Sequence, residues 1–267
     1  LKGIFVDKTL RTAATGLTAQ QRYVEIISNN LANVNTTGFK KVRPEFQDLL
    51  YETIKPMGNS QKTGSEPLNE VQIGSGTELV ATTKLFSQGD ITQTNNKLDV
   101  AINGDGFFQV IRPDNTVAYT RAGSFSTDKN GLIVTAQGYK LEPGLTIPQD
   151  AVDVQISRDG IVTAQLEGAN NSSTLGQIQL ARFINPAGLK SIGDNLYVDS
   201  PASGQPLLEQ PGFNNTGELI QAHLEQSNVD IVEEMVNMIV AQRSYEINSK
   251  SVRTADDILG IAVNLKR

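Results

Sequence analysis

Two heptad-spaced series of apolar residues, one near each end of a 267-residue chain, constrain the fold more than any other feature. Leu10, Leu17, Val24 and Leu31 recur every seven residues, and Ala13, Gln20, Ile27 and Val34 follow each by three. That spacing lays one apolar stripe along a helix running from Thr9 to Val34. Near the other end Met238, Tyr245, Val252 and Leu259 repeat at seven, with Ala241, Asn248, Ala255 and Ala262 three later. This second helix is expected to open at Ser227, with Asp230 as the acid of a capping box. Glu246 and Lys250 stand in the favourable i,i+4 order. Val232, Met235, Val236, Ile239 and, more weakly, Val263 widen its apolar stripe beyond what one partner helix covers. Either the rest of the chain or other copies of it must cover the excess. Gln20 and Asn248, polar at core positions, can fix register at some cost in stability.

Between the helices the period changes to two. Leu98, Val100 and Ile102 alternate with polar or small residues, as do Val152, Val154 and Ile156, which predicts half-buried strands. Further strands are expected at Phe107–Ile111, Val117–Thr120, Leu132–Thr135, Ile161–Leu166 and Gly176–Ile184. Asn103-Gly104, Asp105-Gly106, Asn130-Gly131 and Asp159-Gly160 suit hairpin turns. Short strands with tight turns argue an antiparallel sheet. Ahead of them, Thr36 to Thr83 is rich in Gly, Pro, Ser, Thr and Asn, most of all from Lys55 to Pro67, with apolar patches at Phe46–Tyr51 and Val71–Ile73. A long projecting β-hairpin accounts for it. The expected fold is α+β. Residues 1–35 and 226–267 are the paired N- and C-terminal helices of a coiled-coil-like module, 36–83 an extended hairpin-like segment and 84–225 an inserted antiparallel β domain.

Composition removes most chemistry. There is no cysteine and a single histidine, His223, so thiolate sites and zinc sites built on several His or Cys ligands are excluded. A chain without cysteine fits a reducing compartment or a protein that crosses membranes unfolded. The net charge of −6 leaves no basic footprint for nucleic acid. No apolar run approaches the roughly 18 residues of a membrane span, and LKGIFVDKTLRTAATG lacks the apolar core of a secretory signal. Gly104-Asp105-Gly106 begins like a dinucleotide fingerprint, but Gln109 holds the third glycine position and a strand follows. Asp128-Lys129-Asn130-Gly131 lacks the length of a calcium loop. Glu233-Glu234 and Asp256-Asp257 are helix neighbours that diverge. The Asn-x-Ser/Thr sequences at Asn35, Asn170, Asn171 and Asn214 suggest surface loops. No catalytic, cofactor-binding or metal-binding set emerges.

Specific strings carry a resemblance. SNNLANVNTTGFK (Ser28–Lys40) resembles the N-terminal signature of the bacterial flagellar rod and hook axial proteins, and SNVDIVEEMVNMIVAQRSYEINSKSVRTADDIL (Ser227–Leu259) resembles their C-terminal signature. LDVAINGDGFFQV (Leu98–Val110) and AYTRAGSFSTDKNGLIVTAQGYKL (Ala118–Leu141) are similar to the same family. The length, FQDLLYET at Phe46–Thr53 and the polar insertion leading to VQIGSG at Val71–Gly76 resemble its distal-rod members. One departure is that Leu1–Lys8 precede the string where the family usually begins.

The resemblance implies a non-enzymatic subunit of a helical homopolymer, a tube with the terminal helices inside and the β domain outside. It implies neighbouring proximal-rod and hook subunits, surrounding basal-body rings, and unfolded export through the flagellar type III apparatus without a cleaved signal. The expected assembly seam is Leu10, Leu17, Val24, Ile27 and Leu31 with Met238, Tyr245, Val252 and Leu259. Asn29, Asn30, Asn33, Gly38 and Phe39 belong to the family motif, where amides near a helix end bond backbone groups or neighbouring copies and Gly38 adopts a conformation other residues resist. The terminal segments are expected to stay largely disordered until they dock. Other axial subunits of the family, a soluble β-rich binding module and a periplasmic hydrolase built around His223 are the competing readings.

Overall fold

The computed structural model describes residues 2–55, 71–167 and 172–264. Most of the polar stretch Lys55–Pro67, the sequences at Asn170 and Asn171, and the side chains of Leu259, Ala262 and Val263 lie outside the described residues. Among these, α and antiparallel β structure combine in two compact units. One gathers residues 1–31, 42–83 and 231–267, and the other 32–41 and 84–230.

The first unit holds α1 (Lys2–Ala32), β1 (Val42–Asp48), β2 (Tyr51–Lys55), β3 (Val71–Gly74), β4 (Thr77–Lys84) and α2 (Ile231–Asn264). α1 begins ahead of Thr9 because no proline interrupts the first turns. It stops at Ala32, where Asn33 turns its side chain and carbonyl to local use: Thr36 donates its N–H to Asn33 O at 3.1 Å and its hydroxyl to Asn33 Oδ1 at 3.2 Å. β1 pairs with β4, and β2 with β3 antiparallel, so the chain runs out along one edge of a two-stranded ribbon and back along the other.

This ribbon lies along α1. Asn30 meets Val42, the Tyr23 ring stands edge-on to Phe46 at 6.2 Å, Thr15 meets Thr77, and Lys8 pairs with Glu52. From Asn30 back to Lys8 the helix rises about 33 Å, and from Val42 to Glu52 a strand advances about 33 Å. The two elements keep step over that whole length. Gly76 permits the contact, since a Cβ there would stand 2.0 Å from Thr15 Oγ1, and its φ of +117° suits glycine.

α2 opens at Ile231, four residues later than the expected start at Ser227. Ser227 Oγ accepts the Val229 N–H at 3.3 Å, and the Asn228 side chain is engaged by residues 41, 85 and 87, so these residues are held out of the helix. Glu233 and Glu234 occupy its first turn, where carboxylates favour the positive end of the helix dipole.

The second unit is built of short strands: β5 (Ile91–Gln93), β6 (Val100–Asn103), β7 (Phe107–Ile111), β8 (Val117–Thr120), β9 (Phe125–Thr127), β10 (Ile133–Thr135), β11 (Lys140–Leu141), β12 (Ala151–Ile156), β13 (Ile161–Leu166) and β14 (Ser172–Gln177). After them come β15 (Leu180–Arg182), β16 (Lys190–Gly193), β17 (Leu196–Val198), β18 (Leu207–Glu209), β19 (Glu218–Gln221) and β20 (His223–Glu225). A nine-stranded sheet runs β16-β17-β8-β7-β11-β10-β9, with β15 also beside β7 and β18 beyond β15. β12, β13 and β14 form a three-stranded sheet, while β6 pairs with β19 and β5 with β20.

β7 is buried on both faces. Phe108 joins a core with Val100, Ile102, Ile133, Leu141, Ile178 and Leu180, while Phe107 joins Tyr119, Phe183 and Tyr197. Successive side chains point to opposite faces of a strand, so two adjacent aromatics nucleate two cores.

Three details depart from the sequence pattern, the first being that the strand expected at Gly176–Ile184 is split between β14 and β15, which join different sheets. A register shift between Ala151 and Asp153 opens a bulge, which re-aims Val152 into solvent and breaks the alternation with Val154 and Ile156. Residues 103–106 do not close a hairpin, because β6 pairs with β19 while β7 pairs with β8, β11 and β15.

Candidate assembly surfaces and their junction

α2 carries apolar side chains on two opposed faces. At about 100° per residue, Val236, Val240 and Ile247 fall within about 40° of one another, whereas Glu234, Ala241, Asn248 and Ala255 fall about 100–160° away. The latter face is covered: Glu234, Ala241 and Ala255 are buried. The former is open, with Val232, Val236, Ile239, Val240, Ile247, Ile258 and Ile261 each more than half exposed. An ordinary amphipathic helix turns a polar face to water, and this open apolar stripe departs from that pattern.

α1 and α2 meet at two spaced points. A Cβ on Gly16 would stand 3.0 Å from Asn248 Nδ2, and Asn30 Nδ2 donates to Glu234 Oε2 at 3.1 Å. Fourteen residues separate the contact points on each helix, two heptads, and the order is antiparallel.

Of the expected seam, Ile27 is buried, Leu10, Leu17, Val24, Leu31, Met238 and Val252 are half-buried, and Tyr245 is 45% exposed. Leu10, Leu17 and Val24 stay half-exposed on the side of α1 away from Lys8, Thr15, Tyr23 and Asn30, which meet the ribbon. Tyr245 and Val24 line one cleft of about 760 Å³, with Gln21, Glu25 and Ser28 from α1 and Gln242 and Glu246 from α2.

The motif residues do different work. The buried Asn30 side chain accepts the Val42 N–H at 2.9 Å and donates to Val42 O at 2.9 Å as well as to Glu234, so one amide joins the end of α1, the start of β1 and the start of α2. Asn33 serves the turn after α1, and Asn29 stays exposed on the helix. Gly38 has φ +69°, its N–H donates to Glu225 O at 2.8 Å, and a Cβ would stand 2.6 Å from Ala122 N. Phe39 is buried, and the Lys84 ammonium approaches its ring at 6.0 Å and the Tyr197 ring at 4.8 Å. Burial lowers the pKa of Lys84.

Beside Gly38 and Phe39 lies a charged cluster that no local pattern announces. Lys40 Nζ donates to Glu225 Oε1 at 2.6 Å and to Ser87 O at 2.7 Å. Arg121 Nε donates to Glu225 Oε2 at 2.9 Å and its Nη1 to Gly104 O and Gly106 O, while Gly89 N–H reaches Glu225 Oε1 at 3.0 Å. Lys40 and Glu225 are fully buried and Arg121 nearly so. Desolvation lowers the pKa of Lys40, the Glu225 carboxylate opposing and the Arg121 charge adding to it. Asn228 completes the arrangement, accepting the Lys41 N–H at 2.7 Å and donating to Leu85 O at 2.9 Å and to Ser87 O at 3.1 Å. Two side chains, Glu225 and Asn228, thus gather two separate stretches of backbone, at Lys41 and at Leu85–Gly89, together with the Lys40 and Arg121 side chains.

His223 Nδ1 lies 2.7 Å from Gln221 O, a carbonyl that can only accept, so this ring nitrogen donates to backbone. Among the described residues no cluster of His, Cys, Asp or Glu has the makings of a metal site, and no helix is long and apolar enough to cross a membrane.

Residues 10–40 match the family of flagella basal body rod proteins, residues 101–164 the flagellar hook protein FlgE/F/G D1 domain, and residues 220–265 the C-terminal family of flagellar basal body rod FlgEFG proteins. The flagellar basal-body rod protein FlgG of Borreliella burgdorferi is 51% identical over 263 residues, covering 97% of this chain and 99% of that protein. The chain belongs to the flagellar basal-body rod protein family. FlgG of Caulobacter vibrioides is 48% identical and that of Bacillus subtilis 40%, each over 97% of this chain and 99% of its own length. The first matched segment of this rod protein ends at Lys40 and the last contains Glu225, so the buried ion pair joins the two.

Proposed function

We propose that this rod protein is a non-enzymatic subunit of the distal rod, polymerising into a tubular shaft that carries motor torque to the hook. The observation that supports it is the second apolar face of α2. Within the subunit one face of that helix is covered while Val236, Val240 and Ile247 stand in water. Burying such side chains contributes roughly 1.5–3 kcal/mol each, and sister copies supply the cover. α1 and α2 act as a coiled-coil-like pair in this reading, with their two-heptad antiparallel register set by Gly16 against Asn248 and Asn30 against Glu234.

The ribbon of β1 to β4 stiffens the shaft, since it braces α1 over about 33 Å. The polymer crosses the periplasm inside the basal-body rings. Proximal-rod subunits adjoin the polymer at one end and hook subunits at the other. Export through the flagellar apparatus in an unfolded state, without a cleaved signal, agrees with a chain that has no disulfides to form.

The test is Val236→Asp combined with Ile247→Asp in the full chain. The monomer should keep its circular dichroism and melting temperature yet fail to form sedimenting polymer. Normal polymerisation of that variant contradicts the reading.

A further inference from the structure

We infer that the cleft beside Val24 and Tyr245 is the receptor for the open face of α2 on a second copy, so that subunits join head to tail through two different patches. The inference rests on the polymer reading and adds which surfaces meet and what selects them.

The cleft holds about 760 Å³. A water takes about 30 Å³ of liquid volume, so the space admits several side chains. Its apolar floor is Val24 and Tyr245, and its charged members are both acidic, Glu25 and Glu246. The open face of α2 has the opposite dress: Ile239, Val240 and Ile247 are exposed, and Arg243 and Lys250 stand among them. Apolar meets apolar and carboxylates meet cations.

Both acids already hold exposed neighbours, Glu25 with Arg22 at 2.8 Å and Glu246 with Arg243 at 3.1 Å. Such surface pairs are weak and exchange readily. Tyr245 lies about 180° around α2 from Val236, while Glu246 at the edge of the cleft pairs with Arg243 of the stripe, so the two patches adjoin at that exposed ion pair and one subunit uses both once the pair exchanges. A contact between unlike patches leaves a free cleft at one end and a free stripe at the other. It therefore propagates, where a self-complementary contact would close into a dimer.

The chain has no cysteine, so two engineered thiols are the only ones present. Full-length copies carrying Ser28→Cys, in the cleft, and copies carrying Ile247→Cys, on the stripe, are expressed together. The assembled rods are then treated with a short bifunctional maleimide. The mixed 28–247 product is expected in rods and absent from monomers. Rods that yield only 28–28 or 247–247 products, or none, overturn the inference while leaving the polymer reading intact. Copies that never assemble overturn the polymer reading and the docking with it. A second arm exchanges the charges: Glu25→Lys or Arg243→Glu alone should lower rod yield at least about tenfold, and the two together on one chain should restore it. Failure of the double variant to recover, with both single variants folded, counts against the contact.

Discussion

Lys40 and Glu225, 185 residues apart in sequence, meet at 2.6 Å with both side chains fully buried. The lysine follows Gly38 and Phe39 out of the first helix segment, and the glutamate ends the last strand before the second. Charges taken out of water this completely hold only when every polar atom finds a partner, which Arg121, Ser87 O and Gly89 N–H supply.

Removing the shared carboxylate therefore has a steep cost. Glu225→Leu leaves Lys40 and Arg121 buried without their counter-charge and should destabilise the protein by about 3–5 kcal/mol. Lys40→Met leaves Glu225 with Arg121 and should cost less. Denaturant unfolding of the two variants checks the order, and equal losses contradict it.

Gly38→Ala should destabilise by about 1–3 kcal/mol, because a positive φ is combined with a Cβ pressed onto the backbone of Arg121 and Ala122. Calorimetry of the variant measures it; an unchanged melting temperature rules out the strain.

Asn30→Ala removes three hydrogen bonds that hold Val42 and Glu234, at about 1–3 kcal/mol for each group left unmet. Asn30→Asp should be worse, since it sets a carboxylate against Glu234 and against Val42 O. Amide exchange at the end of α1 and the start of α2 should quicken in that order.

These junction residues show what the sequence could and could not disclose. β7, β8 and β13 begin and end where alternation and turn dipeptides place them, since those signals are local. The bulge at Ala151 and Asp153 depends on pairing with β13, and no run of residues announces it. Ser227 looked like a cap because a capping box is a four-residue pattern, yet Asn228 is claimed by Lys41, Leu85 and Ser87 from far along the chain. Lys40, Arg121 and Glu225 carry no local signal for the same reason, since their partners lie far along the chain. Only the Asn30 and Gly38 motif hinted at a junction, through residues whose amide or missing Cβ serves no heptad.

Alkaline pH should report on the second unit. Burial raises the Tyr197 phenol well above its ordinary value, with Glu225 adding and Arg121 opposing, and burial also raises Tyr119. A group whose folded pKa exceeds its unfolded one contributes stability that is intact below the unfolded value, about 10, and lost as pH climbs beyond it. Tyrosinate absorbance should therefore rise in two steps, the later coinciding with unfolding, and Tyr197→Phe should shrink the later step. A single step centred near 10 contradicts this.

The most direct measurement is an electron-microscopy reconstruction of the assembled rod in which the side chains of α2 are resolved. The account predicts Val236, Val240 and Ile247 packed against another copy of the chain. Finding that face in solvent, touching no neighbouring subunit, would contradict it.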